Sequence, residues 1–511
     1  MKKLFNTTRV HVRQGQAKAG GSKPVCGIIG VSGSKAAAQE AYVGLFTLQH
    51  RGQDAAGICT LESGRSGFSL KKGKGLVSQV FDEGSLRELK GASCVGHVRY
   101  PTAGSNLCGE EQPFVSANGK IALVFNGNIL NCVERRKALQ EKGFAFESAS
   151  DAEVLLNELV NAWTESGGAG EQRLWKALEA VMKNLNGGYS VICLTELGLL
   201  GFRDPNAIRP MVLGKKVTLE GVSHAFASEN NALDVLGYKV LRDVGAGEAI
   251  LVRSDESIAS KDVLPRQKKH CMFEWVYFAR PDSILERVGT YEVRQRLGIE
   301  LARQWREKVN AHIDVVTPVP DSARSAALAF SQELGVPFQE GLVKSRYVQR
   351  TFIMPDQKTR EWSVKMKLNP LIPVLKGKRV AVIDDSVVRG TTSRRIIETI
   401  KEAGALEVHF LSTCPPITNP CFYGVDMSTR EELIAARTES VEEVRKFIGA
   451  DSLTYQSIDG LKKAIGLSER ICTGCLTGAY PTQVSQTLLE AFEKTRKSER
   501  KAFEESKAKI Q

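Results

Sequence analysis

The apolar positions follow two regimes along the chain. Between residues 26 and about 255, short apolar runs stand between glycine-rich turns: 26–30 (CGIIG), 121–125, 189–194, 211–213 and 249–252. Runs of this length, bounded by turn residues, read as buried strands. Helical periodicity appears between them, near 36–49, 151–164 and 173–185. Strands grouped together with helices outside predict an α+β layered sandwich. From 290 to 465 the pattern changes. A strand at 313–317, a helix near 322–334, a strand at 379–383, a helix near 393–404 and a strand at 407–412 alternate. That order is the βαβ repeat of an α/β parallel sheet. The expected organisation is a leader over 1–25, a first domain over 26–255, a connecting segment over 256–289, a second domain over 290–465 and a C-terminal segment over 466–511. Residues 484–511 are rich in Lys and Glu and read as a solvated helix. No internal repeat is evident.

Composition narrows the class. The chain has 511 residues, 42% hydrophobic and 25% charged, which argues against a disordered chain, a collagen or a small disulfide scaffold. No apolar run approaches the ~18 residues of a membrane span. Half of the net charge of +12 lies in the first 25 residues (Lys2, Lys3, Arg9, Arg13, Lys18, Lys23), which hold no acid. The remainder is only modestly basic, so a local basic pocket for a phosphorylated ligand fits better than a nucleic-acid coat. The leader has no apolar core and is not a secretory signal. Eleven cysteines in a chain with no secretory signal predict a reduced, cytoplasmic setting.

The most informative stretch is 380–393, VAVIDDSVVRGTTS. An apolar strand ends in two acids, a turn holds a glycine, and hydroxyl residues open a helix. Adjacent carboxylates at a strand end can accept from vicinal ribose hydroxyls. Backbone N–H groups at the following helix N-terminus can hold a phosphate. An ordinary capped βα loop would also contain parts of this pattern. The full run resembles the phosphoribosylpyrophosphate (PRPP) loop of the phosphoribosyltransferases. That resemblance implies PRPP contacts from Asp384, Asp385, Ser386, Arg389, Gly390, Thr391, Thr392 and Ser393. Residues 317–322 (TPVPDS) lie at another strand end and suit pyrophosphate and Mg²⁺, with Ser322, Asp384 and Asp385 as the expected metal contacts. The basic stretch 344–369 is the expected lid, with Lys344, Arg346, Tyr347 and Arg350 over the polyanion. No GxxxxGK[ST] occurs, which disfavours a P-loop ATPase.

The first domain carries LQHRGQDAAG (48–57), GHVRYPTAG (96–104), FNGN (125–128) and SDAE (150–153) after the cysteine at 26. Together these resemble the class II glutamine amidotransferases, whose fold is the N-terminal-nucleophile sandwich. Cys26 is then the nucleophile. A thiol, which ordinarily titrates at about 8.5, needs a base, and a free α-amine at Cys26 would supply one. The leader is therefore expected to be a removable propeptide, because an amide nitrogen is not basic. The resemblance makes Asn126 and Gly127 the oxyanion donors. It places Arg51, Arg99, Thr102 and Asp151 around glutamine, Arg99 on the carboxylate and Asp151 on the amine. Tyr100 is expected to help close over the amino acid.

Both halves together resemble the glutamine PRPP amidotransferases. The implied reaction converts glutamine, PRPP and water to 5-phosphoribosylamine, glutamate and pyrophosphate, the first committed step of purine (IMP) biosynthesis. A homotetramer inhibited by purine nucleotides is also implied. Two rival readings compete with it: a PRPP-sensing regulator and an inactive PRPP-binding module. The intact Cys26, Arg99, Asn126 and Asp151, with no separate helix-turn-helix, argue against the regulator, and a steady-state assay of PRPP-dependent glutaminase activity separates all three readings. In the stretch 203–210 (RDPNAIRP), alanine stands at 207 where the family usually has glycine, which puts the local turn in question.

Cys472 and Cys475 form a CxxC, which alone fits zinc, a redox pair or chance. The cluster-bearing branch of this family has two further cysteines in matching context, here Cys271 and Cys421. The four imply a 4Fe–4S cluster with a structural or oxygen-sensing role. Cys59, Cys94, Cys108, Cys132, Cys193 and Cys414 have no such context, and most are expected to be small core residues.

Overall fold

The computed structural model describes residues 25–61, 67–100, 110–219, 221–309, 311–344, 368–425, 427, 429–484 and 489. The leader before Val25, Thr102, Cys108, the lid residues Arg346, Tyr347 and Arg350, and nearly all of the Lys/Glu-rich tail lie outside them.

The first half is a sandwich of two antiparallel sheets. One contains, in spatial order, β11 (Lys239–Asp243), β9 (Val212–Thr218), β10 (Gly221–Ala227), β1 (Gly27–Ser32), β4 (Ser93–Arg99), β2 (Ala55–Leu61) and β3 (Phe68–Lys74). The other contains β13 (Ile258–Asp262), β12 (Glu248–Val252), β8 (Gly198–Arg203), β7 (Gly187–Thr195), β6 (Ala122–Ile129) and β5 (Phe114–Val115). Ile28, Val95, Val124, Ile192, Phe226 and Ile250 fill the space between the sheets. The outer faces bury against helices: Ala37–Thr47 on the first sheet, Asp151–Glu165 and Gly170–Asn184 on the second. Strands β1 and β7 are buried along their whole length, which is why both read as unbroken apolar runs. The sandwich runs past the expected boundary at 255, because Ile258–Asp262 turns back and pairs with β12.

The second half has a four-stranded parallel sheet in the order Val315–Pro318, Arg379–Asp384, Glu407–Ser412, Ser452–Tyr455. Alternation along the second strand shows the layering. Val380 and Val382 pack with Ile396, Ile400 and Ile448, whereas Ala381 and Ile383 pack with Leu301, Phe330 and Leu411. Helices therefore cover both faces, as a parallel sheet requires. The connecting and C-terminal segments meet in a short parallel bridge that places Cys271 opposite Cys472. A further core cluster surrounds this bridge and contains Trp275, Phe422 and Tyr423. Among the described residues, no helix is long and apolar enough to cross a membrane.

Candidate active site

Cys26 stands immediately before β1, half-buried, with a free thiol. The Tyr100 main chain hydrogen-bonds it, and the charges of Arg99, Asp151 and Arg51 act on it. Burial outweighs the two arginines and pushes the thiol above its ordinary range. The group is therefore a neutral thiol at pH 7, and attack needs a base to take its proton.

β6 carries the FNGN stretch past this point. Asn126 is fully buried, and neither atom of its side-chain amide has a hydrogen-bond partner among the described residues. An unsatisfied buried amide costs roughly 1–3 kcal/mol, so this side chain has unused hydrogen-bonding capacity among the described residues. At Gly127 a Cβ would meet the Gly188 carbonyl oxygen at 2.1 Å, so only glycine fits. Asp151 begins the helix Asp151–Glu165, and its Oδ2 accepts from the Ile129 N–H at 3.1 Å. Asp151 thus ties the helix to β6 while its charge reaches Cys26. Arg99, at the end of β4, forms an ion pair with Glu110.

Arg51 takes a different position from the other expected glutamine contacts. Its guanidinium is fully buried beneath Cys26. Nε donates to the Cys26 carbonyl at 3.2 Å, Nη2 donates to both oxygens of Glu274 at 2.9 Å, and Nη1 pairs with Glu229. Burial opposes the Arg51 charge, but Glu274 and Glu229 outweigh it and keep the group protonated. Glu229, although buried, is held well below the usual carboxylate range by His50 and Arg51. Sequence reasoning gave no role to Glu229 or Glu274. They lie 178 and 223 positions from Arg51, so no local spacing could signal the pairing.

In the second half, the expected residues sit at the carboxyl end of the strand Arg379–Asp384. Asp384, Asp385 and Ser386 are all buried. Asp385 accepts from the Ser322 hydroxyl at 2.6 Å and from the Ser386 hydroxyl at 2.5 Å. Asp384 accepts from the Asp385 N–H at 2.8 Å. Gly390, at φ +76°, turns the chain into the helix Thr391–Glu402, with Thr391 and Thr392 exposed and Ser393 buried. Arg389 pairs with Glu432 at 2.9 Å, and Lys344 pairs with Asp321 at 3.1 Å. The strand ends therefore bring Ser322 to Asp385.

Family profiles match both halves: a glutamine amidotransferase domain over residues 98–235 and a phosphoribosyl transferase domain over 290–427. An amidophosphoribosyltransferase of Methanothermobacter thermautotrophicus is 43% identical over 471 residues, covering 91% of this chain and 96% of that protein. The chain belongs to the amidophosphoribosyltransferase family. It is thus a glutamine-dependent phosphoribosyltransferase. The Bacillus subtilis amidophosphoribosyltransferase is 40% identical over 478 residues, covering 92% of this chain and 97% of that protein. A solved structure of glutamine PRPP amidotransferase from B. subtilis, complexed with ADP and GMP, superposes with a TM-score of 0.80. It is 40% identical and covers 90% of this chain and 98% of that one. A second structure, described as the allosteric regulatory enzyme of purine biosynthesis, superposes at 0.82, again with 40% identity, covering 90% of this chain and 97% of that one. The N-terminal-nucleophile sandwich and the phosphoribosyltransferase sheet expected from the motifs are both present.

At position 207 the amidophosphoribosyltransferase turn survives the alanine. Ala207 is fully buried at φ +51°, and its carbonyl accepts from Arg203 at 2.8 Å and from His270 at 2.9 Å. These bonds hold a left-handed residue that would otherwise cost about 1–2 kcal/mol.

Proposed function

We propose that glutamine is hydrolysed at Cys26 and that the released ammonia displaces pyrophosphate from PRPP at the loop 384–393. The observation that carries this reading is the fully buried amide of Asn126, without a partner among the described residues and one residue before Gly127, where a Cβ would not fit. Attack of the Cys26 sulfur on the glutamine amide carbon would place negative charge on the carbonyl oxygen. Asn126 Nδ2 and the Gly127 N–H would stabilise it. The thiol proton passes to the base and then to the leaving ammonia, and water hydrolyses the thioester to glutamate. Arg99 and Asp151 suit the carboxylate and amine of glutamine, with Arg99 sharing its charge between the substrate and Glu110.

The base is the α-amine of Cys26, freed by removal of residues 1–25. Ammonia then attacks ribose C1. Asp384 and Asp385 bind the ribose hydroxyls, the helix N-terminus at 390–393 binds the 5′-phosphate, and Lys344 begins the lid. Mg²⁺, held by oxygens of Ser322, Asp384 and Asp385, would supply charge neutralisation for the pyrophosphate. These oxygens match the hard-ligand preference of that ion. The product is 5-phosphoribosylamine, the entry to purine synthesis. Purine nucleotides are the expected feedback ligands, a reading supported by the ADP and GMP in the B. subtilis relative. The expected assembly is a homotetramer.

The four expected cluster ligands share one buried region. Cys271 faces Cys472 across the short bridge, and all four thiols are buried and unoxidised. Burial, with its like-charged neighbours, pushes Cys271 up to about 12 and raises Cys472 and Cys475 as well. Among the described residues, no three His, Cys, Asp or Glu side chains form a group that could hold a metal ion. A tetrahedral zinc site needs its ligands converged on one atom, whereas a 4Fe–4S cube takes one thiolate at each of four separate corners. Four thiolates suit such a cube, and its bound iron would keep them as thiolates.

The test is a PRPP-dependent glutaminase assay paired with N-terminal sequencing. Protein beginning at Cys26 should be active, and protein retaining residues 1–25 should not hydrolyse glutamine. Full glutaminase activity with the leader intact would refute the role of the α-amine.

A further inference from the structure

The loop 422–424 reaches into the glutaminase half from behind. Asn128, two residues after Asn126, donates from Nδ2 to the Phe422 carbonyl at 2.8 Å. Gly424, at φ +97°, lies so close to Gly127 that a Cβ there would meet the Gly127 carbonyl oxygen at 3.0 Å and its carbon at 3.2 Å. The carbonyl of Tyr423, between them, accepts from Arg209 Nε at 2.7 Å and also from Nη2. Arg209 Nη1 pairs with Glu274 at 3.1 Å, Glu274 pairs with Arg51, and Arg51 donates to the Cys26 carbonyl. Arg209, Glu274 and Arg51 are all buried. Three consecutive residues thus grip both parts of the glutamine site. Phe422 and Gly424 hold the oxyanion strand directly, and Tyr423 holds the Cys26 main chain through three buried charges.

We infer that loop 422–424, which lies in the span matched by the phosphoribosyl transferase profile, is a positioning element for glutamine hydrolysis. It fixes the Gly127 N–H and the Asn126 amide relative to Cys26 without touching substrate. The inference rests on the proposed roles of Cys26, Asn126 and Gly127. Its physical basis is that oxyanion donors work only when preorganised, and a misplacement of about 1 Å can cost on the order of 10²-fold in rate.

Two variants test it by opposite means. Asn128→Ala releases the Phe422 carbonyl at a half-buried side chain, and Gly424→Ala pushes the loop against Gly127. In each, the glutaminase kcat should fall by at least about tenfold, because the lost alignment matters in the transition state. The KM for glutamine should stay within about threefold, and ammonia-dependent synthesis within about twofold, since Arg99, Asp151 and the PRPP loop are untouched. A general loss of folding would lower both nitrogen sources together, and that parallel fall would overturn the inference. So would an unchanged glutaminase kcat in both variants, or a rise in KM alone. Cys26→Ala, run beside them, separates the two levels. If it keeps glutaminase activity, the assignment of the nucleophile fails. If it loses that activity while Asn128→Ala and Gly424→Ala do not, only the positioning role fails.

Discussion

Glu274→Gln removes one charge from the buried network and nothing else of comparable size. Two guanidiniums, Arg51 and Arg209, and two carboxylates, Glu229 and Glu274, balance there, with His50 also on Glu229 at 2.8 Å. Glu274 accepts from Arg51 Nη2 at 2.9 Å on both oxygens and from Arg209 Nη1 at 3.1 Å. Removing one partner of a buried ion pair typically costs about 3–5 kcal/mol, because the remaining charge is left uncompensated. Glutamine preserves the shape and one acceptor oxygen, so the expected loss is at the lower end, about 3 kcal/mol. The assay is urea denaturation followed by hydrogen exchange of the peptides around Trp275, the buried residue next to Glu274. A multidomain chain need not unfold in one step, so the transition reported by this region is the one to compare. Arg209→Met combined with Glu274→Gln should recover part of the loss, since the double variant removes opposite charges together. A loss below about 1 kcal/mol for Glu274→Gln would be the size of an exposed pair and would refute the buried-network account.

Asp385→Asn should weaken PRPP use with either nitrogen source by about 10- to 150-fold, the loss of one charge-assisted bond of roughly 1.5–3 kcal/mol; unchanged PRPP kinetics would remove Asp385 from the site. His270 is buried and its pKa is lowered to about 4, chiefly by burial, although Glu286 pulls the other way. Its unfolded form binds a proton near pH 6.5 while the folded form does not, so it supports stability above pH 6.5 and that support fades as the pH falls towards 4. By pH 5 the loss should be about 2 kcal/mol, and His270→Gln should flatten the decline in denaturation midpoint between pH 6.5 and 5. Each of Cys271→Ser, Cys421→Ser, Cys472→Ser and Cys475→Ser should abolish cluster binding. Iron and sulfide analysis of anaerobically purified protein should give about four of each per chain, and stoichiometric zinc without iron would refute the cluster.

The parts of this fold legible in the sequence are those whose burial is uniform or periodic. β1, β7 and the strand Arg379–Asp384 are buried nearly throughout and read as apolar runs. β3 (FSLKKGK) and β11 (KVLRD) escape such a reading because they are edge strands whose side chains are mostly exposed or half-buried. Motifs pointed to Cys26, Asn126, Asp151 and the twin aspartates; Cys26, Asp151 and Asp384–Asp385 stand at a strand or helix end, and Asn126 lies within β6 beside the glycine of its motif. The buried charge network was not legible. Arg51, Arg209, Glu229 and Glu274 come from four separate segments, and a charged residue in sequence looks the same whether it is solvated or paired in a core. The contact of loop 422–424 with Gly127 was hidden for the same reason: it joins residues about 300 positions apart, and only the folded chain brings them together.

In the proposed mechanism two half-reactions occupy separate sites, one on each half of the chain. Cys26→Ala tests it most directly when phosphoribosylamine formation is measured with glutamine and, separately, with ammonia. Synthesis from glutamine should disappear while synthesis from ammonia continues. Loss of both in a protein that remains folded, or survival of the glutamine reaction, would contradict it.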